Sequence, residues 1–324
     1  MEIEFNYPIT SETSLLQNNV KEQINNFFTS GRQGTYVGKR NINIFYKIFL
    51  QKKKSLSPSI LISNGRGESI IKFKETLFNF YNLGFSLYII DHRGQGLSDR
   101  ILSNPQIGYV ESYDYYVADL KFFFDNFVKP NSHSKNFILG HSMGGAIATL
   151  YVEQYRKDFD AMVLSSPLLG LKFPFCILFR FLKIRSKKFT FGRGDYNFEK
   201  TSFEQNETTN SKIRYSIIEE ENSENFSSVI GGPSHKWVYE TCKALIKLRN
   251  NSKNIVIPIL ILQAQNDTIV SLKSQNKFFT SLKKRNDTEL DFHKLNGAKH
   301  EIFVEKDEIR KRVFYYILDF FNKV

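Results

Sequence analysis

Cysteine is nearly absent: Cys176 and Cys242 are the only two in 324 residues. Neither has C-x-x-C spacing or a zinc-like set of partners, so a thiol-ligated metal centre is excluded and two reduced, structural thiols are expected. Long apolar runs are missing too. The nearest approach, Leu168 to Ile184, is interrupted by Lys172, Pro174, Arg180 and Lys183, which excludes a membrane-crossing run of about 18 apolar residues. Met1 to Thr10 carry Glu2 and Glu4 and lack the basic and apolar regions of a secretory signal, so a cytoplasmic location is expected. Repeats, heptads and long low-complexity stretches are also lacking. Acidic residues are in deficit, 33 against 45 Lys and Arg, which gives a net charge of +12. Such a balance favours anionic partners, nucleic acid or an acidic lipid surface. No compact basic-aromatic motif accompanies it, so nucleic acid is not expected.

What is present is enough apolar residue, 41%, for one large core. Residues 1–33 read as a helical lead, with Leu15, Leu16, Val20, Ile24 and Phe27 at helical spacing. Two strand-like runs, 34–38 and 42–50, follow as an antiparallel edge. From Ser59 to Leu164, short β-branched runs alternate with amphipathic helices, the pattern of βαβ units and a parallel sheet. The rhythm breaks over 167–247 and resumes over 248–324, so the core (34–166 and 248–324) is expected to carry an inserted cap.

The candidate chemistry lies where strands end. Gly140-His141-Ser142-Met143-Gly144 follows the run Phe137-Ile138-Leu139 and places a serine on a tight strand-to-helix turn. A serine nucleophile needs a base, and the base needs an acid to orient it. Of six histidines, His300 follows the strand ending at Leu295 and is the candidate base; His293 lies within that strand. Asp267, after the strand 259–263, is the candidate acid, with Asp287 and Asp291 as rivals and a plain cap of the helix that begins near Ser271 as the alternative. The order Ser142, Asp267, His300 is that of α/β-hydrolases. The backbone N–H groups of Met143 and of Arg66, in Asn64-Gly65-Arg66-Gly67, are the expected oxyanion donors. The Arg66 guanidinium is left open between a phosphate contact and solvent. No metal or organic cofactor is implied.

These residues resemble the serine-hydrolase branch of α/β-hydrolases that includes monoacylglycerol lipases and, more closely, bacterial inner-membrane-associated lysophospholipases. The resemblance rests on Tyr88 to Ser98, on His141 to Gly145, on Gly231 to Trp237 and on Ala298 to Asp307. It implies a mostly parallel sheet flanked by helices, an acyl-enzyme route and a lysophospholipid or monoacyl lipid substrate. Asn64 stands where monoacylglycerol lipases carry histidine, which weakens the transfer of their substrate preference.

The expected cap opens with an apolar, basic segment from which Phe175, Phe179, Lys183 and Arg185 are the candidate residues facing lipid or an anionic membrane. The plain alternative is an apolar side packed on the core beneath a solvated basic face. Monoacylglycerol lipase, general carboxylesterase and non-catalytic lipid binding are the competing functions.

Overall fold

The apolar runs of the sequence become the strands of one sheet. A computed structural model describes residues 7–172, 176, 186–198, 202–284 and 289–324. The strands are β1 (Arg32–Val37), β2 (Asn43–Phe49), β3 (Ser59–Ser63), β4 (Ser86–Ile90), β5 (Asn136–His141), β6 (Ala161–Ser165), β7 (Ile259–Ala264) and β8 (Leu290–Leu295). They are hydrogen-bonded in the order β1-β2-β4-β3-β5-β6-β7-β8. β1, β2 and β4 pair antiparallel, and every pair from β4 to β8 is parallel. The β1–β2 turn places Arg40 and Asn41 at φ 58° and 57°, which ends the hairpin at the expected edge.

The central strands are apolar on both faces because helices cover both. Ile60, Ile62, Leu87, Ile89, Leu139 and Val163 pack towards α3 (Lys74–Asn82) and α9 (Asp307–Lys323). Leu61, Tyr88, Ile138, Met162 and Leu164 pack towards α4 (Tyr113–Phe123), α5 (Met143–Gln154) and α7 (His235–Asn251). Fully burying one such side chain contributes roughly 1.5–3 kcal/mol. α5 is buried from Met143 to Glu153, and its small Gly144, Gly145, Ala146 and Ala148 let it lie close to the sheet. α4 is capped by the Ser112 side chain and runs on into a π-helical last turn over Phe124–Val128.

The lead forms α1 (Glu12–Leu15) and α2 (Asn18–Ser30). Leu15 and Ile24 are buried and Phe27 stacks on Phe49 at 4.4 Å. Leu16, expected on the same apolar stripe, is exposed, because the chain breaks at Leu16-Gln17 and the helical register restarts.

The stretch expected as a cap contains two described helices of different character. α6 (Lys212–Glu224) is tied through Arg214 to Glu75 on α3 and to Asp307 at the start of α9. α7 buries Trp237, Cys242, Leu245 and Leu248 in the core, and its Thr241 hydroxyl meets the Tyr113 hydroxyl at 2.9 Å. The cysteines correct the sequence reading: Cys176 and Cys242, 66 residues apart, form a disulfide rather than two reduced thiols. α7 turns Cys242 into the same apolar cluster against which Cys176 packs, and this tertiary juxtaposition leaves no trace in the spacing. Phe175, Phe179, Lys183 and Arg185 lie outside the described residues. Among the described residues no helix is long and apolar enough to cross a membrane.

Candidate active site

β5 ends at His141 and α5 begins at Met143, so Ser142 alone makes the turn between them. It does so at φ 52°, ψ −118°, a conformation that costs a non-glycine residue about 1–3 kcal/mol and persists only where the surroundings enforce it. The surroundings are close backbone contacts. A Cβ on Gly140 would lie 2.7 Å from the Gly144 carbonyl oxygen, and one on Gly145 would lie 2.8 Å from Pro167 Cβ. The Ser142 N–H donates to the Ser165 carbonyl at 3.0 Å, and its own carbonyl accepts from Gly145 and Leu168. The elbow is thus pinned to the end of β6 while the side chain stays half-buried.

His300 comes from the loop after β8 and Asp267 from the turn after β7. His300 Nε2 lies 2.9 Å from Ser142 Oγ, and Nδ1 lies 2.6 Å from Asp267 Oδ2. Asp267 Oδ1 accepts the N–H groups of Ile269 and Val270 at 2.7 and 3.1 Å. Burial opposes ionisation of this carboxyl, but the His300 contact and those two N–H donors hold its pKa below the usual carboxylate value. Asp267 does not cap the helix that follows, α8 (Leu272–Lys283), which is capped by the Ser271 side chain; its Oδ1 holds only the turn before that helix. Of the rivals, Asp291 faces Lys323 at 3.8 Å and Asp287 lies outside the described residues.

The other histidines are engaged elsewhere. His92 Nε2 meets Ser63 Oγ at 2.9 Å, and burial pushes its pKa down to about 3. His133 bonds the Tyr88 hydroxyl, His235 Nδ1 faces the Lys188 carbonyl, and His293 stacks on Tyr316. His141 turns away from Ser142 to Ser165, and its ring centroid lies 5.0 Å from that of His300.

The loop after β3 is held rigidly. The Gly65 N–H donates to Glu68 Oε2 at 2.5 Å and the Gly67 N–H to Gln95 Oε1 at 3.2 Å. Between them the Arg66 N–H, like that of Met143, makes no hydrogen bond among the described residues. The Arg66 side chain is not free in solvent. Its Nη1 donates to the Gly231 carbonyl at 2.9 Å and its guanidinium lies 5.8 Å from the Trp237 ring. Burial, then the nearby Arg193, lowers its pKa to about 10.

Asp91 anchors this loop from below, accepting from Asn64, Ser69, Ile70 and Leu97. Burial raises its pKa to about 7 against those four donors. Arg93 pairs with Asp119 at 2.7 Å in the core, so the Asp91 to Ser98 signature is occupied by structural contacts.

Sequence reasoning missed Glu68, Lys72 and Glu301. Lys72 bridges the two carboxylates, 2.8 Å from Glu68 Oε1 and in direct contact with Glu301. The i,i+4 spacing of Glu68 and Lys72 and the adjacency of Glu301 to His300 were the available signals. Among the described residues, no group of three or more His, Cys, Asp or Glu could hold a metal.

A mostly parallel sheet with a strained serine at one strand end, and a histidine and an aspartate at two others, defines an α/β-hydrolase. Residues 55–307 match the family model for serine aminopeptidase, S33, and the chain belongs to that family. It is 34% identical over 291 residues to a probable lysophospholipase L2 of Haemophilus influenzae, covering 88% of this chain and 90% of the relative. It is 32% identical over 272 residues to lysophospholipase L2 of Escherichia coli K12, covering 82% and 80%. A crystal structure of a soluble variant of monoglyceride lipase from Saccharomyces cerevisiae, in complex with a substrate analog, shares the fold. Its TM-score is 0.69 at 23% identity, over 90% of this chain and 96% of that one.

Proposed function

We propose that this chain is a serine carboxylester hydrolase that cleaves the acyl ester of lysophospholipids. The observation that carries the reading is the continuous hydrogen-bonded line from Ser142 Oγ through His300 to Asp267, drawn from the ends of β5, β8 and β7. His300 Nε2 takes the Ser142 proton as Oγ attacks the ester carbonyl, and Asp267 stabilises the imidazolium through Nδ1. The N–H groups of Met143 and Arg66 hold the oxyanion; each such donor is worth about 10²–10³ in rate. His300 then gives its proton to the departing glycerol oxygen, which leaves an acyl-Ser142. Water, deprotonated by the same histidine, releases the fatty acid and restores the serine.

A lysophospholipid is favoured because the lysophospholipase L2 relatives match along 80% or more of both chains. Monoacylglycerol hydrolysis is the second reading, supported by the fold shared with the yeast monoglyceride lipase. The decisive experiment offers lysophospholipid and monoacylglycerol side by side to the wild type and to Ser142→Ala. Loss of fatty-acid release from lysophospholipid in the variant is expected; retained turnover sinks the assignment, and preferential release from monoacylglycerol favours the second reading.

The cap, 167–247, is taken as the element that admits the acyl chain, and its basic apolar segment as a reversible contact with an anionic membrane surface. Each Lys or Arg near such a surface contributes about 1 kcal/mol. Sedimentation with phosphatidylglycerol vesicles tests this: binding should weaken with salt and with charge reversal at Lys183 and Arg185, and salt-insensitive binding refutes it.

A further inference from the structure

Glu68, Lys72 and Glu301 form a largely buried chain of charge that joins the two loops on either side of Ser142. Glu68 belongs to the loop carrying the Arg66 N–H, and its Oε2 accepts the Gly65 N–H at 2.5 Å. Its other oxygen receives Lys72 Nζ at 2.8 Å and lies 3.7 Å from His141 Nε2. Lys72 donates in turn to Glu301, the residue after His300. The three side chains are 7%, 13% and 14% exposed, so each interaction is made with little competing water.

We propose that Lys72 is a positioning residue, a clamp that fixes the oxyanion-side loop relative to the loop carrying His300; this rests on the reading of Ser142 as nucleophile. Three features carry it. First, one ammonium bridges two carboxylates drawn from different loops, so neither loop shifts without breaking a buried ion pair. Second, the clamp reaches the backbone itself, since a Cβ on Gly65 would lie 2.8 Å from the Glu68 carboxylate and leaves no slack there. Third, the Gly65 and Gly67 N–H groups are used up in holding the loop, and the intervening Arg66 N–H is the one left to face a ligand. The charges agree with this arrangement. Burial opposes the ionised forms, yet Lys72 draws Glu68 down to about 2, and Glu301 and Glu68 raise Lys72 above its usual value.

Donors aimed at an oxyanion act in the transition state and not on the bound ester, so a displaced clamp lowers kcat and spares KM. The test uses p-nitrophenyl butyrate turnover, the rate of fluorophosphonate labelling and thermal unfolding of the full chain. Lys72→Met should lower kcat about 10²-fold, the scale of one lost oxyanion donor, with KM within about twofold and labelling slowed in parallel. It should also lose stability, because the buried Glu68 and the partly buried Glu301 are left without their cation. Lys72→Arg should recover most of kcat. The neutral triple variant Glu68→Gln, Lys72→Met, Glu301→Gln separates the two effects: it should regain the melting temperature while kcat stays low, and it carries the test should the single variant not fold. Recovery of kcat together with stability in the triple variant, or wild-type kcat in Lys72→Met, overturns the clamp. Failure of the wild type itself to take the fluorophosphonate label would instead overturn the nucleophile assignment on which the clamp depends.

Discussion

Gly144 and Ser63 approach so closely that a Cβ on the glycine would lie 1.9 Å from the Ser63 carbonyl oxygen. The obstacle is backbone at the end of β3, and the same Cβ would lie 2.6 Å from the Asn64 carbonyl oxygen. Gly144→Ala must therefore push α5 off the strand that leads into the Asn64 to Ser69 loop. We expect a loss of roughly 1–3 kcal/mol in stability, the usual cost of overpacking. Activity should fall about 10²-fold, because a shift of about 1 Å separates Ser142 from His300. Denaturant unfolding and ester turnover measure both, and an alanine variant with unchanged values would show that the elbow does not need this contact.

Asp267 offers a cleaner dissection, since asparagine preserves shape and removes charge. Asp267→Asn should keep the Ile269 and Val270 contacts through its carbonyl oxygen but present an amide to His300 Nδ1, favouring the wrong tautomer. A fall in kcat of about 10³–10⁴ with little change in KM is expected. A drop below tenfold would move the acid role to another residue.

The sheet and the candidate triad were largely legible because both follow from local pattern. Strands buried on both faces read as apolar runs, and Ser142 and Asp267 each stand just past one, while His300 follows the alternating, half-buried edge strand β8. Tertiary relationships were not legible. Lys72 reads as an ordinary surface lysine until folding sets it between Glu68 and Glu301, which are 233 residues apart (301 minus 68). Leu16 looks periodic until the helix breaks beside it. The Arg66 side chain finds Trp237 and Gly231 only because α7 and the segment before it return to the β3 loop.

The disulfide is the sharpest disagreement between sequence and structure, and it is directly measurable. Protein purified without reductant and then denatured should show no free thiol, and both Cys176 and Cys242 should become reactive after reduction. Closing a loop between residues 66 apart restricts the unfolded chain, so Cys176→Ser with Cys242→Ser should cost roughly 2–4 kcal/mol. Labelling of Ser142 by a fluorophosphonate should persist in that variant, since the disulfide takes no part in the Ser142, His300 and Asp267 hydrogen bonds. Two free thiols in the unreduced, denatured protein would restore the expectation drawn from the sequence.

Glu153 gives the stability a pH dependence of predictable sign. It lies on α5 at 4% exposure, and both carboxyl oxygens lack a hydrogen-bond partner among the described residues. Burial raises its pKa from 4.5 to about 8, and Lys247 on α7 offsets only part of this. The folded state thus holds a proton that the unfolded chain releases, so stability is full below about pH 4.5 and declines as pH rises towards 8. Glu153→Gln keeps the shape of the protonated acid and removes that slope. With about 1.4 kcal/mol per pKa unit, the variant should be more stable than the wild type by up to about 5 kcal/mol at pH 8.5 and equal to it at pH 4. Urea unfolding at the two pH values decides the matter: parallel stability curves for variant and wild type would mean that this carboxyl is ionised and solvated in the native protein.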